Sequence, residues 1–391
     1  MADCSFLCLM QVLDLFIYLT AISLCIYLFL INLYLYWFSK LKVFNKTAAE
    51  PVTTFSIIIP ARNEEENIEA CIQSILKNNY PPELFEIIIA DDFSTDATPE
   101  IVHRLQAQFS NIQIISLKNI ISETINSYKK RAIELAIAQS KHDWIVTTDA
   151  DCTVPINWLN LLDAYIQKNE RVFVAAPVMF TCNNSFLNVF QCLDFLSLQG
   201  ITAASVYAGA HSMCNGANLA YKKKVFYEVD GFKNADHIAS GDDMLLMHKI
   251  KMKYPEHIGY LFSDKMIVAT APMPDWRSFL NQRIRWASKA TSYQDKRVFW
   301  VLVLVYFTNL FLLILFFVSL FLPQFFLVWL LFMLGKALLE MPFMYKIAKF
   351  YGLQRLMFWF VLMQPFHMAY TVVSGWLGKF GTYQWKGRQV K

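Results

Sequence analysis

The chain has 391 residues, 56% hydrophobic and 17% charged, with a formal net charge of +4 at pH 7. Soluble domains carry roughly 25% charged residues, so part of this chain is built for an apolar medium. So weak a basic excess excludes an electrostatic footprint for nucleic acid, and eight scattered cysteines without a CxxC pair read as reduced, mostly buried thiols rather than a metal site.

Residues 15–39 carry no charge between Asp14 and Lys40. A bilayer-crossing helix needs about 20 apolar residues, so a span is expected over 15–38. It has no basic leading segment and no small-residue cleavage site, which favours an uncleaved anchor over a signal peptide. "FSIII" (55–59) is a short β-branched run suited to a buried parallel strand. A helix follows, with Ile68, Cys71, Ile72, Ile75 and Leu76 on one face and Asn63 as its candidate cap. "EIIIA" (86–90) is the next strand and ends in Asp91-Asp92; Pro99 opens a helix carrying Ile101, Val102 and Leu105. "IQIISL" (112–117), a helix over 129–139 and "WIVTT" (144–148) continue the series, which implies a doubly wound parallel α/β sheet.

Towards the end, residues 275–290 form a basic-aromatic helix with Trp276, Arg277, Arg283, Arg285 and Trp286, suited to a bilayer interface. A hairpin of spans is expected over 298–322 and 324–345, turning at Pro323, and a last apolar helix over 356–378. Lys336 and Glu340 interrupt the second of these, Pro365 and His367 the third. Lys40, Lys42 and Lys46, and later Lys346, Lys349 and Arg355, put the middle of the chain in the cytosol by the positive-inside rule. An even number of spans would leave the basic tail (Lys386, Arg388, Lys391) on the other side, so the last helix is a candidate for a re-entrant or interfacial element. The expected domains are an anchor (1–49), an α/β domain (50–274), an interfacial helix (275–297) and a membrane segment with tail (298–391).

In doubly wound sheets ligands bind beyond the carboxyl ends of the strands. Three strand ends here are polar: Pro60 to Glu64, Asp91-Asp92 and Asp149-Ala150-Asp151. No GxGxxG follows the first strand and no P-loop occurs, so dinucleotide and P-loop readings lose support. Asp149 and Asp151 are two apart and in extended backbone point the same way. Two convergent carboxylates suit a hard divalent cation, Mg²⁺ or Mn²⁺, whose other ligands are water and substrate phosphates. The plainer reading of such a pair is a solvated exit from a strand.

With these elements in place, the chain resembles the membrane-bound glycosyltransferases of family 2, the group containing cellulose, hyaluronan and poly-N-acetylglucosamine synthases and ceramide glucosyltransferase. The resemblance covers about residues 50–295. It rests on "IIIPARNEEENI" (57–68), "ADDFSTDAT" (90–98), "SYKKRAIELAI" (127–137), "TTDADC" (147–152), "CNGANLAYKK" (214–223), "SGDDMLL" (240–246) and "QRIRW" (282–286), in the family's order. It implies a GT-A type nucleotide-sugar-binding domain, α/β with a parallel-rich sheet, flanked by transmembrane helices. By the same resemblance Pro60, Asn63, Glu64, Asp91 and Asp92 hold the nucleoside, and Lys129 and Lys130 approach the donor. Asp149 and Asp151 bind the metal on the diphosphate. Asp243 is the general base, with Asp242 beside it where the family often has Glu. Asn215, Gly216, Asn218, Gln282, Arg285 and Trp286 face the acceptor or the diphosphate.

The implied reaction is inverting sugar transfer from a nucleotide-sugar, a UDP-sugar first, to a lipid-linked or glycan acceptor at the cytoplasmic (inner) membrane, with the catalytic domain in the cytosol. So few spans favour single transfer over a processive polysaccharide synthase. One competing reading comes from another class. "TTDADCT" also fits DxDx[TV], the loop of haloacid dehalogenase-like phosphatases, in which Asp149 would be the nucleophile. That reading leaves "QRIRW" without a task.

Overall fold

The computed structural model describes all residues except 1, 47–49, 120–126, 234–240, 291–292, 382, 386–387 and 391, with side chains described between 10 and 381. It begins with one unbroken helix, α1 (Ala2–Lys40). An α/β half follows: β1 (Phe55–Ala61), α2 (Ile68–Leu76), β2 (Phe85–Asp91), α3 (Thr98–Gln106), β3 (Ile112–Ser116), α4 (Tyr128–Gln139) and β4 (Trp144–Thr147). The chain continues through β5 (Cys152–Thr153), α5 (Trp158–Lys168), β6 (Phe173–Ala175), β7 (Val178–Phe180), α6 (Phe186–Tyr207) and β8 (Leu219–Lys222). Then come α7 (Lys223–Glu228), α8 (Asp242–Lys253), β9 (Ile258–Tyr260) and β10 (Val268–Thr270). The last elements are α9 (Trp276–Ala287), α10 (Lys296–Phe321), α11 (Phe326–Phe350), α12 (Met357–Phe380) and the hairpin β11 (Tyr383–Trp385) and β12 (Arg388–Val390).

The main sheet has the order β3-β2-β1-β4-β8-β6-β9. β3, β2, β1 and β4 are parallel, and the Ile and Val runs of β2, β1 and β4 are sealed from solvent because helices cover both faces. The sheet is not parallel throughout, as the alternation alone implied. β8 runs antiparallel to β4 and β6, pairing Leu219 with Thr147. It therefore begins where β4 ends, and the loop before it, with Asn215 and Gly216, lies beside the loop that carries Asp149. A small sheet, β5-β10-β7, closes the other flank of that loop.

Five helices are long and apolar enough to cross a membrane: Met10–Lys40, Phe186–Tyr207, Lys296–Phe321, Pro323–Phe350 and Gln354–Phe380. The second of these, α6, has no counterpart in the expectations. It is 83% buried inside the protein against 22–33% for the others, packed between the sheet domain and α1, α11 and α12. A run of that length with a carboxylate at its centre, Asp194, is a core helix that joins the two halves of the molecule. Lys336 and Glu340, which break the apolar pattern of α11, satisfy each other. Lys336 Nζ lies 2.8 Å from Glu340 Oε1 and donates to Gln364 Oε1 at 2.8 Å, while Gln364 Nε2 donates to Glu340 Oε2 at 2.9 Å.

Both ends of α12 lie toward the sheet domain. Its start follows the last turn of α11, and at its far end a Cβ on Gly378 would fall 2.7 Å from Ala287 Cβ of α9. Gly375 packs as closely on Tyr306, in the half of α10 that adjoins α9. Cys182 and Cys192 are joined in a disulfide between the loop after β7 and α6, so the reading of all cysteines as reduced fails for this pair. Their ten-residue separation carries no motif; the turn into α6 brings them together.

Candidate active site

A cavity of about 1210 Å³ opens at the carboxyl ends of β1 and β4 and continues between α1, α6, α10, α11 and α12. This exceeds the roughly 1,000 Å³ at the upper end of pockets for one small molecule.

At the end of β1, Pro60 and Arg62 line the cavity. Arg62 Nη1 donates to the Asp92 carbonyl at 2.7 Å and lies 3.9 Å from its carboxylate, fixing the loop after β2. Glu64 and Asp92 also face the cavity. Asn63 does not cap α2, which starts later, with Asn67 at its cap position. Asn63 instead adopts a left-handed backbone (φ 51°), and its Oδ1 accepts from the Thr95 N–H at 2.9 Å. Asp91 turns toward β3, accepting from the Ser94 N–H at 3.3 Å and from the Ser116 hydroxyl at 3.4 Å. Asn63 and Asp91 thus brace the loop that presents Asp92 and are not among the residues lining the cavity.

After β4 the backbone is not extended: the Cys152 N–H donates to the Asp149 carbonyl at 3.1 Å, closing a turn over Ala150-Asp151. The two carboxylates therefore do not share a direction through strand alternation, yet both line the cavity. Lys129 Nζ meets Asp149 Oδ1 at 2.9 Å. Burial works to lower the Lys129 pKa, but the charges of Asp149, Asp242 and Asp243 outweigh it and hold the ammonium above its usual range. Lys130 is buried at 1% exposure and is not part of the cavity wall.

Asn215 and Gly216 enter from the loop before β8. The Gly216 N–H donates to Asp243 Oδ2 at 2.9 Å, and the Met244 N–H donates to Asp243 Oδ1 at 2.8 Å. Both oxygens of this carboxylate are oriented by backbone at the start of α8. Burial and the neighbouring Asp242 charge raise its pKa, against Lys289, the Met244 N–H and Lys129, which lower it. Asn218 is a core residue: its side chain accepts from Trp158 Nε1 at 3.0 Å and donates to the Pro177 and Met266 carbonyls at 2.9 Å.

α9 is capped by Asp275, whose Oδ1 accepts from the Ser278 N–H at 2.8 Å. It presents Gln282, Arg285 and Trp286 to the cavity. Arg283 is nearly buried and forms an ion pair with Asp194 of α6, donating from Nε to Oδ2 at 2.8 Å with Nη2 2.6 Å from the same oxygen. Its guanidinium stacks 4.6 Å from the Phe279 ring centre and 4.3 Å from that of Trp286. The Tyr370 hydroxyl of α12 donates to the same aspartate. The Asp194–Arg283 pair was missed from sequence, although a lone carboxylate in an apolar helix already demands a cation.

Among the described residues no group of three or more His, Cys, Asp or Glu is close enough to enclose a metal ion. Asp149 and Asp151 could supply two hard oxygen ligands to a cation that completes its shell with water and a diphosphate.

Comparison with known proteins is consistent with this geometry. The Glycosyl transferase family 2 model matches residues 56–230, and the Glycosyl transferase family group 2 model matches residues 144–377. Glycosyltransferase AglE of Haloferax volcanii is 28% identical over 189 residues, 48% of this chain and 58% of AglE. Poly-beta-1,6-N-acetyl-D-glucosamine synthase of Staphylococcus epidermidis is 25% identical over 265 residues, 64% of this chain and 59% of the synthase. The chain thus spans less than two thirds of the length of these relatives. Mannosyltransferase PcManGT from Pyrobaculum calidifontis, solved with GDP-Man and Mn²⁺, shares the fold at a TM-score of 0.59 and 18% identity, over 94% of this chain and 98% of that one.

Proposed function

The chain belongs to glycosyl transferase family group 2, and we propose that it moves a sugar, with inversion, from a nucleotide-sugar to a lipid-linked acceptor at the cytosolic face of a membrane. The observation that carries this reading is one cavity lined by Asp149, Asp151, Asp243, Gln282, Arg285 and Trp286 that continues between apolar helices. Glu64 and Asp92 hold the nucleoside, with Asn63 and Asp91 supporting their loop. Asp149 and Asp151 would hold Mg²⁺ or Mn²⁺, which when bound offsets charge on the diphosphate. Lys129 and Arg285 add positive charge on the side of the leaving group, where negative charge builds up as the glycosidic bond breaks. Asp243, with both oxygens oriented, takes the proton of an acceptor hydroxyl. Mn²⁺ with GDP-Man in the mannosyltransferase supports the metal and the donor class; UDP-sugars and GDP-mannose are the first donors to test.

The shape of the cavity favours a lipid carrier. Its membrane half is walled by Leu30, Leu302, Phe343, Phe360 and Met363. Beyond it Leu312, Leu315, Trp329, Met333 and Met368 pack as a separate buried cluster, and none of these lines the cavity. A polymer secreted as it grows needs a route past that plug. Processive synthesis is the second reading, favoured by the similarity to the poly-N-acetylglucosamine synthase. The family models matched are both transferases, so Asp149 is not read as a phosphatase nucleophile.

Purified protein in detergent, given Mn²⁺ or Mg²⁺ and a panel of nucleotide-sugars, is expected to release nucleoside diphosphate and to label an organic-extractable product. Ladders of water-soluble polymer would favour the synthase reading, and failure to bind any nucleotide-sugar would defeat both.

A further inference from the structure

We propose that Lys289 forms a phosphate-binding site in the cavity wall, outside the QxxRW residues and the aspartate pair. The inference rests on the glycosyltransferase reading. Lys289 follows the last turn of α9, its N–H donating to the Trp286 carbonyl at 3.4 Å. It is 8% exposed and lines the cavity. The buried lysine of α11, Lys336, is paired with Glu340, and Lys129 with Asp149. Lys289 has no hydrogen-bond or ion-pair partner among the described residues.

The fold makes room for this side chain. Gly241, the residue before α8, has φ 83°, and a Cβ there would stand 3.2 Å from Lys289 Cδ. Glycine at this position allows the left-handed turn into Asp242-Asp243 and also clears the lysine stem. Burial, and then the charge of Arg285, push the ammonium down to about 7, with Asp243 and Asp242 acting in the other direction. A buried ammonium that feels Asp242 and Asp243 but pairs directly with no described residue is costly, and is retained where an anion arrives to complete it. Beside Arg285, in the same cavity, the fitting anion is a phosphate. Two sources present one: the nucleoside diphosphate of the donor, and the headgroup of a phosphate-bearing lipid acceptor.

The test compares wild type, Lys289→Met and Lys289→Arg. Binding of UDP and GDP with Mn²⁺ is measured by calorimetry, and binding of a polyprenyl phosphate is measured in nanodiscs. Lys289→Met is expected to weaken one probe by about tenfold or more, the effect of losing one charge-assisted contact, and Lys289→Arg to restore most of it. A loss confined to the nucleotides assigns the site to the donor, and a loss confined to the lipid assigns it to the acceptor. Lys289→Met should melt no lower than wild type, because burial of the ammonium outweighs the attraction of Asp243 and Asp242. Wild-type affinity of Lys289→Met for both probes would overturn the inference, as would a lower melting temperature or an effect limited to the pH profile of transfer. Wild-type protein that binds neither probe would overturn the glycosyltransferase reading together with it.

Discussion

Asp243 and Asp242 are adjacent carboxylates at the start of one helix, and their surroundings separate them. Asp243 accepts two backbone N–H bonds, at 2.9 and 2.8 Å. Asp243→Asn keeps the shape and cannot take a proton, so transfer is expected to fall by about 10²-fold or more while nucleotide binding by calorimetry stays near wild type. Asp242→Asn should be milder. Near-normal transfer by Asp243→Asn would remove it as the base. The pH profile gives a second check. The Asp243 carboxyl is raised by burial and by Asp242. As pH falls through that raised value the base is protonated, so the acid limb of transfer should lie above the ordinary carboxylate pKa of about 3.9. The raised value also means that ionising Asp243 opposes folding. Its contribution to stability is therefore best below its unfolded pKa and declines as pH rises through the folded one. For the metal pair, Asp149→Asn or Asp151→Asn should raise the Mn²⁺ concentration needed for half-maximal activity with little change in melting temperature. Wild-type metal dependence in both variants would reject the pair as ligands. At this scale the residue types were legible from the sequence, but the directions of side chains were not. Asn63, Asp91, Lys130 and Asn218 sit in the right motifs, yet loop turns and core hydrogen bonds point them away from the cavity.

Helix α9 is legible as a basic-aromatic segment, and its N-cap at Asp275 follows from local sequence alone. What holds it is not local. Arg283, which lines the cavity with Gln282 and Arg285, pairs with Asp194 on α6 and stacks on Trp286. Asp194→Leu or Arg283→Met leaves one member of a buried pair uncompensated, and each is expected to cost about 3–5 kcal/mol in unfolding free energy. The apolar double variant, Asp194→Leu with Arg283→Met, should recover much of this. Denaturant unfolding of the three variants checks it: additive losses would show that the pair is not coupled. α6 itself illustrates why a helix can be missed. Its apolar composition matches a membrane span, but the burial that identifies it as a core helix depends on α1, α11 and α12, distant in sequence.

The expected parity problem of the membrane segment is a question about the whole molecule. α12 is long and apolar enough to cross a bilayer, yet Gly375 and Gly378 bring its far end back against Tyr306 and Ala287. A helix that starts and ends beside the sheet domain is expected to leave β11 and β12 on that side, in keeping with the positive charges before it. In a cysteine-free background Gln389→Cys should therefore resist membrane-impermeant thiol reagents in intact cells and react after permeabilisation. Labelling in intact cells would require a full crossing by α12. The strands through β4 and the four apolar helices other than α6 were determined by the sequence itself, because periodicity and local propensity act within a few residues of each other. The antiparallel entry of β8, the contact of Arg283 with Asp194, the burial of Lys289 in the cavity wall and the packing of the end of α12 on α9 were decided only by the tertiary structure. Each depends on which distant group occupies the space opposite, and that contact carries no local signal.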